Sequence, residues 1–330
     1  MQGEALPFLL FSKGYKMFKL LKSIRANYIM MALVVIGALL VLFTGLNTQD
    51  ERKSKASNNK PQRVVSLSVS TDEMLLALLG KQRLIAVSPW SDMEAVSCIS
   101  QEVKDIPYRA QSRNAEAILS LNADLIVAPD YTKAEIIQTL RDSGAKVFVC
   151  KTPHSMLEIK EVLRELGALV GEPAEAEKLI AKMEQRLKYI DEQVKKIPAS
   201  ERVEVLRVQD NGAYYAPHTS FMEVCRLAGM KDATEKLQYD YTCTLSQEEI
   251  VLLDPDVFVI ENWNYDGRHD AKELSRGVLS NKAYSETKAY KTQRAVLLPA
   301  NHLLTVSQYM VEAVEDMAVA VYPKYVKRQR

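Results

Sequence analysis

Residues 114–131 read NAEAILSLNADLIVAPDY, and residues 246–263 read SQEEIVLLDPDVFVIENW. At a constant offset of 132 residues the two stretches share acids, apolar positions and a final aromatic ring, so that Glu116 matches Glu248 and Tyr131 matches Trp263. Each stretch has an amphipathic segment followed by an apolar run, an order that predicts a helix and then a buried strand. A repeat with so long a period indicates two related lobes that arose by duplication rather than a solenoid.

Outside the repeat, short apolar runs alternate with amphipathic stretches from residue 63 onwards. Runs such as RVVSLS, RLIAVS and KVFVC occur before residue 151, and RVEVLRVQ and RAVLLPA occur after residue 201. This alternation predicts an α/β fold built from βα units around mostly parallel sheets. Residues 172–197 have apolar side chains at helical spacing, which predicts a long rigid helix of roughly 39 Å. The predicted lobes are 63–170 and 199–330, joined by a bridging helix at 171–198.

A weaker echo of the repeat supports the duplication. The segment STDEMLLALLG ends at Gly80, and SFMEVCRLAG ends at Gly229. Each begins with Ser-x-x-Glu, the pattern of a helix capping box, and each closes with the residue favoured just after a helix. We therefore predict capping boxes that begin at Ser70 and Ser220.

The first 62 residues predict membrane attachment. Residues 28–46 form an apolar run of 19 residues behind a basic segment at 1–27, and the polar stretch at 47–62 is typical of a flexible tether. The run is long enough to span a bilayer, and the positive flank should stay in the cytoplasm, so the globular part should lie outside it. An uncleaved transmembrane anchor is favoured over a cleaved signal helix, and the start could be Met1 or Met17.

Composition indicates an ordinary globular chain. Of 330 residues, 47% are hydrophobic and 26% charged, and the net charge is +1, which gives no indication of disorder or of a nucleic-acid partner. The cysteines lack CxxC spacing, and we expect small unpaired buried residues, although a disulfide stays open. They are Cys98, Cys150, Cys225 and Cys243.

The candidate ligand contacts follow the predicted strands. Ligands of open α/β sheets bind beyond the carboxyl ends of the strands, so Tyr131 and Trp263 should place one ring on each side of an inter-lobe cleft. The alternative is that both rings pack at the edge of the core. Similar loop positions are occupied by Trp90, Tyr108, Arg109, Tyr214, Tyr215, His218 and His302. The four histidines lack metal-site spacing, so we predict no metal cage, and we predict no catalytic residue.

From residue 62 to 325 these motifs resemble the cobalamin and iron-siderophore class of ABC-importer substrate-binding proteins. The motifs are RVVSLSVSTDEMLLALLG, RLIAVS, the two repeat stretches and the long helix between them. The resemblance implies two Rossmann-like lobes with parallel sheets, joined by the long rigid helix, and a metal chelate bound between them. The chelate would be a cobalamin or other corrinoid, a haem or a ferric siderophore, bound by a monomer with no cofactor and no chemistry. It also implies that Glu116 and Glu248 dock with arginines of the permease dimer. Through the permease the protein would act together with the ATPase. The chain lacks the lipoprotein cysteine of that class, which leaves attachment to the N-terminal helix.

Three other functions stay open. A membrane-tethered sensor could use the same binding fold. An exported α/β hydrolase is disfavoured because no G-x-S-x-G elbow occurs. A bare metal ion or small anion could replace the chelate as ligand.

For Glu116 and Glu248 the alternative to docking is a purely structural role, because an acid in a first helical turn offsets the helix dipole without any partner.

Overall fold

The computed structural model describes residues 60–209, 212–263 and 270–329. The predicted anchor at 28–46 lies outside these residues. Within the described ranges, no helix combines the length and apolar character needed to cross a membrane. Pro61–Arg330 forms one structural unit. The lobe boundaries stay a prediction.

The first half of the described chain builds a five-stranded sheet. Its strands are β1 (Val64–Ser66), β2 (Leu84–Val87), β3 (Tyr108–Arg109), β4 (Leu125–Pro129) and β5 (Val147–Cys150). Their spatial order is β3-β2-β1-β4-β5, and all pairings are parallel, as predicted. The helices of this half are α1 (Val69–Leu79), α2 (Ala115–Leu119), α3 (Ala134–Asp142) and α4 (Met156–Leu169). The carboxyl ends of parallel strands meet at one edge of the sheet, where the loops that follow them gather.

The second sheet is mixed, so the prediction of a parallel sheet was wrong for this half. Its strands are β6 (Glu204–Gln209), β7 (Gly212–Tyr215), β8 (Lys231–Asp232), β9 (Cys243–Thr244), β10 (Val257–Asn262) and β11 (Ala295–Pro299). The order is β11-β10-β6-β7-β9, with β8 also beside β6. Strands β6, β8, β10 and β11 pair in parallel, whereas β7 is antiparallel to β6 and to β9. Only two residues separate β6 from β7, and a parallel crossover needs about a dozen.

A helix of 22 residues, α5 (Pro173–Val194), lies in the chain between the two sheets. It confirms the long helix predicted from the sequence, although it begins one residue later and ends three residues earlier than 172–197. The remaining helices are α6 (Ser220–Leu227), α7 (Gln247–Leu253), α8 (Ala271–Ser280), α9 (Lys288–Lys291), α10 (Ala300–Leu304) and α11 (Met310–Val321). Helix α5 packs against α4 and α11, and Arg186 donates to Glu315 of α11 at 2.5 Å. Helix α5 therefore contacts elements of both halves.

The structure confirms the sequence repeat. Helices α2 and α7 begin at the matched caps Asn114 and Ser246, and β4 and β10 follow at the same offset. Between helix and strand, Asn122 and Asp254 adopt the left-handed conformation with φ of 49° and 46°. Asn and Asp tolerate this region better than most side chains, which explains their presence at these matched positions.

The repeated aspartates have a structural role at the start of the strands. Asp124 accepts a hydrogen bond from the backbone N–H of Arg63 at 2.9 Å, and its own N–H donates to the carbonyl of Arg63 at 2.8 Å. Asp256 makes the same reciprocal pair with Glu204, with both distances 2.8 Å. Each aspartate thus holds the first residues of the neighbouring strand in place. This structural role explains why the aspartate recurs in the repeat.

The predicted capping boxes at Ser70 and Ser220 were wrong. Helix α1 is capped by Ser68, which accepts from the N–H of Thr71, and α6 is capped by Thr219. The cap of α1 lies two residues before Ser70, at Ser68, so Glu73 is five residues after the cap. The glutamate of a capping box lies three residues after the cap, and Glu73 is therefore too far along the helix to reach back to it. The closing glycines are as predicted, because Gly80 and Gly229 have φ of 65° and 81°.

Instead of capping a helix, Glu73 connects the two halves. It is fully buried on α1, and its Oε2 accepts from Thr305 Oγ1 at 2.6 Å and Ser307 Oγ at 2.5 Å. Its backbone carbonyl accepts from Gln308 Nε2 at 2.9 Å, and its Oε1 accepts from the N–H of Cys98 at 2.8 Å. The loop between α10 and α11 is therefore held against α1. Burial raises the pKa of Glu73 above its ordinary value, while the hydroxyl donors oppose that rise.

We expect Glu73→Ala to lower the free energy of unfolding by about 3 kcal/mol, because it leaves buried hydroxyls and an amide without their acceptor. Glu73→Gln keeps an acceptor oxygen and should lose less. The exposed Glu161 of α4 is the control, and Glu161→Ala should change stability by no more than about 0.5 kcal/mol. Urea unfolding followed by circular dichroism measures all three, and equal losses for both alanine variants would contradict the role of Glu73.

Candidate ligand-binding site

Three large aromatic side chains project from one edge of the first sheet. Trp90 follows β2, Tyr108 begins β3 and Tyr131 follows β4, and their exposed fractions are 51%, 48% and 69%. Trp90 and Tyr131 follow parallel strands of the same sheet and therefore lie at its carboxyl edge. Tyr108 lies near the same edge because it pairs with Ala86, one residue before the end of β2. Exposed rings at such an edge offer wide apolar contact to a ligand.

Trp90 lies on a short 3-10 turn, Pro89–Asp92. Ser88 and Ser91, on either side of Trp90, are buried and hydrogen-bonded. Asp72 of α1 is fully buried, and its Oδ2 accepts from the N–H of Ser88 at 2.8 Å and from Ser91 Oγ at 2.7 Å. The backbone N–H of Trp90 donates to Ser88 Oγ at 3.3 Å. Among the described residues, the other oxygen of Asp72, Oδ1, has no hydrogen-bond partner. Such an orphaned buried atom costs about 1–3 kcal/mol.

Arg109 is occupied by the protein itself. Its Nε and Nη2 donate to the two oxygens of Asp92, both at 2.7 Å. Nη1 donates to the carbonyls of Ile106 and Tyr108, and Nη2 also donates to the carbonyl of Val103. A guanidinium has five N–H donors, and these five contacts use them all. Arg109 thus stabilises the loop that precedes β3, and it has no N–H donor left for an anionic ligand.

The two tyrosines of β7 point in opposite directions, as neighbours on a strand do. Tyr214 is partly exposed and lines a cavity of about 120 Å³ together with Arg207, Gln209 and Thr219. Tyr215 is buried, and its hydroxyl donates to the carbonyl of Tyr239 at 2.8 Å. Tyr214 is therefore placed to meet a ligand, whereas Tyr215 packs within the second half.

Arg207 also has a carboxylate partner. Its Nη2 and Nε donate to Oε1 of Glu261 at 2.7 and 3.0 Å, and Gln209 donates to the same oxygen. The guanidinium lies 5.9 Å from the ring centroid of Phe221. Glu261 is buried near the end of β10, and its Oε2 has no partner among the described residues. The sequence singled out neither acid, because Glu261 is one acid at the end of an apolar strand and Asp72 lies beside Glu73 at the polar start of a helix.

The remaining predicted contacts are dispersed. Trp263 directly follows β10 and is half-buried. His218 has φ of 55° and lines an open groove of about 1230 Å³ together with His154. His302 lies on α10, where its Nδ1 is 2.7 Å from Oδ2 of Asp316. The structure therefore brings Trp90, Tyr108 and Tyr131 to one sheet edge, while His302 is held by α11.

The two predicted docking acids are exposed at matched places. Glu116 and Glu248 lie in the first turns of α2 and α7. Among the described residues neither side chain takes part in an ion pair or a hydrogen bond. Both carboxylates are therefore accessible to cations of a partner, and their role in docking stays a prediction.

The expectation of unpaired, buried cysteines is confirmed for the pairing but only in part for the burial. All four cysteines are free, with Cys150 and Cys225 buried and Cys98 and Cys243 half-buried. Over residues 60–209, 212–263 and 270–329, no group of three or more His, Cys, Asp and Glu side chains is arranged to hold a metal ion. His269 lies outside these ranges.

The titration of Asp72 gives a test of the geometry around Trp90. Burial raises the pKa of Asp72 from its ordinary 3.8 to about 7, although Ser88 and Ser91 donate to it. A raised pKa means that protonation favours the folded state, so this contribution is present below about pH 4 and is lost as the pH rises through about 7. Asp72→Asn stays neutral throughout. The free energy of unfolding of the native chain should therefore fall relative to that of Asp72→Asn between pH 4 and 8, by at most about 4 kcal/mol.

Chemical unfolding at several pH values measures this difference. Asp105 serves as the control, because the Lys81 ammonium lowers its pKa, so the difference for Asp105→Asn should have the opposite sign. A pH-independent difference between the native chain and Asp72→Asn would show that the carboxylate is not desolvated as described.

Comparison with known proteins gives consistent matches. A family model described as "Periplasmic binding protein" matches residues 64–302. A cobalamin-binding protein of Halobacterium salinarum is 28% identical over 269 residues, which cover 80% of this chain and 70% of that protein. YvrC of Bacillus subtilis, an uncharacterized ABC transporter substrate-binding lipoprotein, is 26% identical over 273 residues, covering 80% of this chain and 81% of the relative. The periplasmic heme-binding protein RhuT from Roseiflexus sp. has the same fold, with a TM-score of 0.68 at 22% identity over 79% of this chain and 98% of that one.

Proposed function

Because the chain belongs to the periplasmic binding protein family, we propose that it captures a metal chelate outside the cytoplasm and delivers it to the permease of an ABC importer. In this proposal the chelate is bound and released without chemical change. The observation that carries it is the row of exposed rings at the edge of the first sheet, Trp90, Tyr108 and Tyr131. A soluble domain seldom leaves three such side chains at one functional edge without a ligand or partner.

The charges near the rings favour a corrinoid over other chelates. Arg109 is paired with Asp92 and Arg207 with Glu261, so each guanidinium already has a carboxylate partner. Haem carries two propionates, and catecholate siderophores carry several negative charges, so both call for unpaired cations. A corrinoid offers a broad face with neutral amide side chains. The Halobacterium salinarum relative is named for cobalamin binding, in agreement with this choice, and haem is the second candidate.

Attachment and delivery follow from the same family. We propose that the apolar run at 28–46 anchors the chain in the cell membrane and that the folded part acts on the outer side. Glu116 and Glu248 then offer one carboxylate from each half to arginines of a permease dimer. A tethered sensor would share the binding site but would have no need for both acids, so the docking variants below distinguish the two functions.

Titration of the full-length chain in detergent micelles with cyanocobalamin tests the ligand. We expect strong quenching of tryptophan emission, and we expect Trp90→Ala to weaken binding about tenfold because a large ring contact is lost. Leu252→Ala is a matched control, since Leu252 is an exposed apolar side chain on α7, before the amino end of β10. Stronger binding of haemin, a ferric catecholate or Zn²⁺ than of cyanocobalamin would replace the corrinoid with that ligand.

Charge reversal tests docking. Glu116→Arg and Glu248→Arg should each reduce uptake of labelled ligand by at least about tenfold, because like charges would meet at the permease, while the Kd for the ligand stays unchanged. Glu135→Arg and Glu273→Arg are the controls, since these exposed glutamates lie in the first turns of α3 and α8 but outside the repeat. Unimpaired uptake by the first pair, or equal loss in all four variants, would contradict docking through the repeated acids.

A further inference from the structure

The turn that carries Trp90 is held on both of its sides. On the inner side, Oδ2 of Asp72 accepts from Ser88 N–H at 2.8 Å and from Ser91 Oγ at 2.7 Å. On the outer side, Asp92 receives two hydrogen bonds from Arg109. The backbone of Trp90 is thus fixed, while its ring remains half exposed.

Asp72 is unusual for a residue of the core. It is fully buried on α1, and its Oδ1 has no hydrogen-bond partner among the described residues. Its Oδ2 accepts from Ser88 and Ser91 of the turn, and the hydroxyl of Ser66 also lowers the pKa of the carboxyl. An aliphatic side chain at this place would avoid the burial of a carboxylate but could not accept from the turn. The gain from Asp72 therefore lies in ordering the turn rather than in packing α1.

We propose that Asp72 is a positioning residue for ligand binding, which holds the Ser88–Ser91 turn so that the ring of Trp90 is presented in one orientation before the ligand arrives. The inference rests on the proposed function, because it takes Trp90 as a ligand contact. A ring that is ordered beforehand loses less conformational freedom on binding, so affinity rises without any new contact. Asp72 does not touch the ligand in this account and acts only through Trp90.

The first test needs no ligand. The chain has two tryptophans, so in a full-length Trp263→Phe background all tryptophan emission comes from Trp90. We expect Asp72→Ala to increase the fast depolarisation of Trp90 in time-resolved anisotropy, and Asp72→Asn to restore the native decay because its amide oxygen can still accept. Leu140→Ala, which opens the core of the first half away from the turn, should leave the decay unchanged. An unchanged decay in Asp72→Ala overturns the proposal.

The second test is a double-mutant cycle on the affinity for cyanocobalamin. Asp72→Ala should weaken binding about threefold, Trp90→Ala about tenfold, and the double variant no more than Trp90→Ala alone. Additive losses would mean that Asp72 acts elsewhere and would overturn its positioning role. If Trp90→Ala leaves the affinity for cyanocobalamin and haemin unchanged, the ligand site proposed above is wrong, whereas the anisotropy result still decides whether Asp72 orders the turn.

Discussion

The geometry of the molecule depends on a buried carboxylate that joins its two halves. Glu73 lies on the first helix of the first half and accepts from Thr305 and Ser307 in the loop before the last helix. A buried acid without partners would be strongly unfavourable, so this contact specifies how α1 meets that loop. Apolar packing along α5 adds stability but is less directional. The binding edge of the first sheet and the elements of the second half are therefore held in a defined relation.

The repeat made much of the fold predictable. Matched helix caps, matched strands and the long helix follow from local pattern, because capping, periodicity and chain reversal are determined by neighbours in sequence. The mixed second sheet was missed because the antiparallel pairing of β6 and β7 was not expected, although the two residues between these strands are too few for a parallel crossover. The error over Ser70 arose because Glu73 fits a cap motif by spacing, whereas Thr305 and Ser307, whose hydroxyls donate to its carboxylate, are more than 230 residues away. At Ser220 the cap lies one residue earlier, at Thr219.

The sequence predicted where the candidate side chains stand relative to the strands, but not which of their charges are paired. Placement after strands located Trp90 and Tyr131 at the correct edge, since that rule depends on topology alone. Whether Arg109 is available depends on side-chain contacts with Asp92 and three carbonyls, which no local pattern reveals. Asp72 gave no signal of its own, because it lies beside Glu73 at the polar start of a largely apolar helix. The structure adds to the exposed rings the finding that Arg109 and Arg207 are both paired with carboxylates.

Each sheet ends on one side in a strand of only two residues, Tyr108–Arg109 in the first and Cys243–Thr244 in the second. Such short edge strands expose few unpaired backbone N–H and C=O groups with which a strand of another chain could pair. Under the proposed membrane anchoring, copies of the chain would meet often beside the bilayer. Short edge strands would then limit edge-to-edge pairing between those copies.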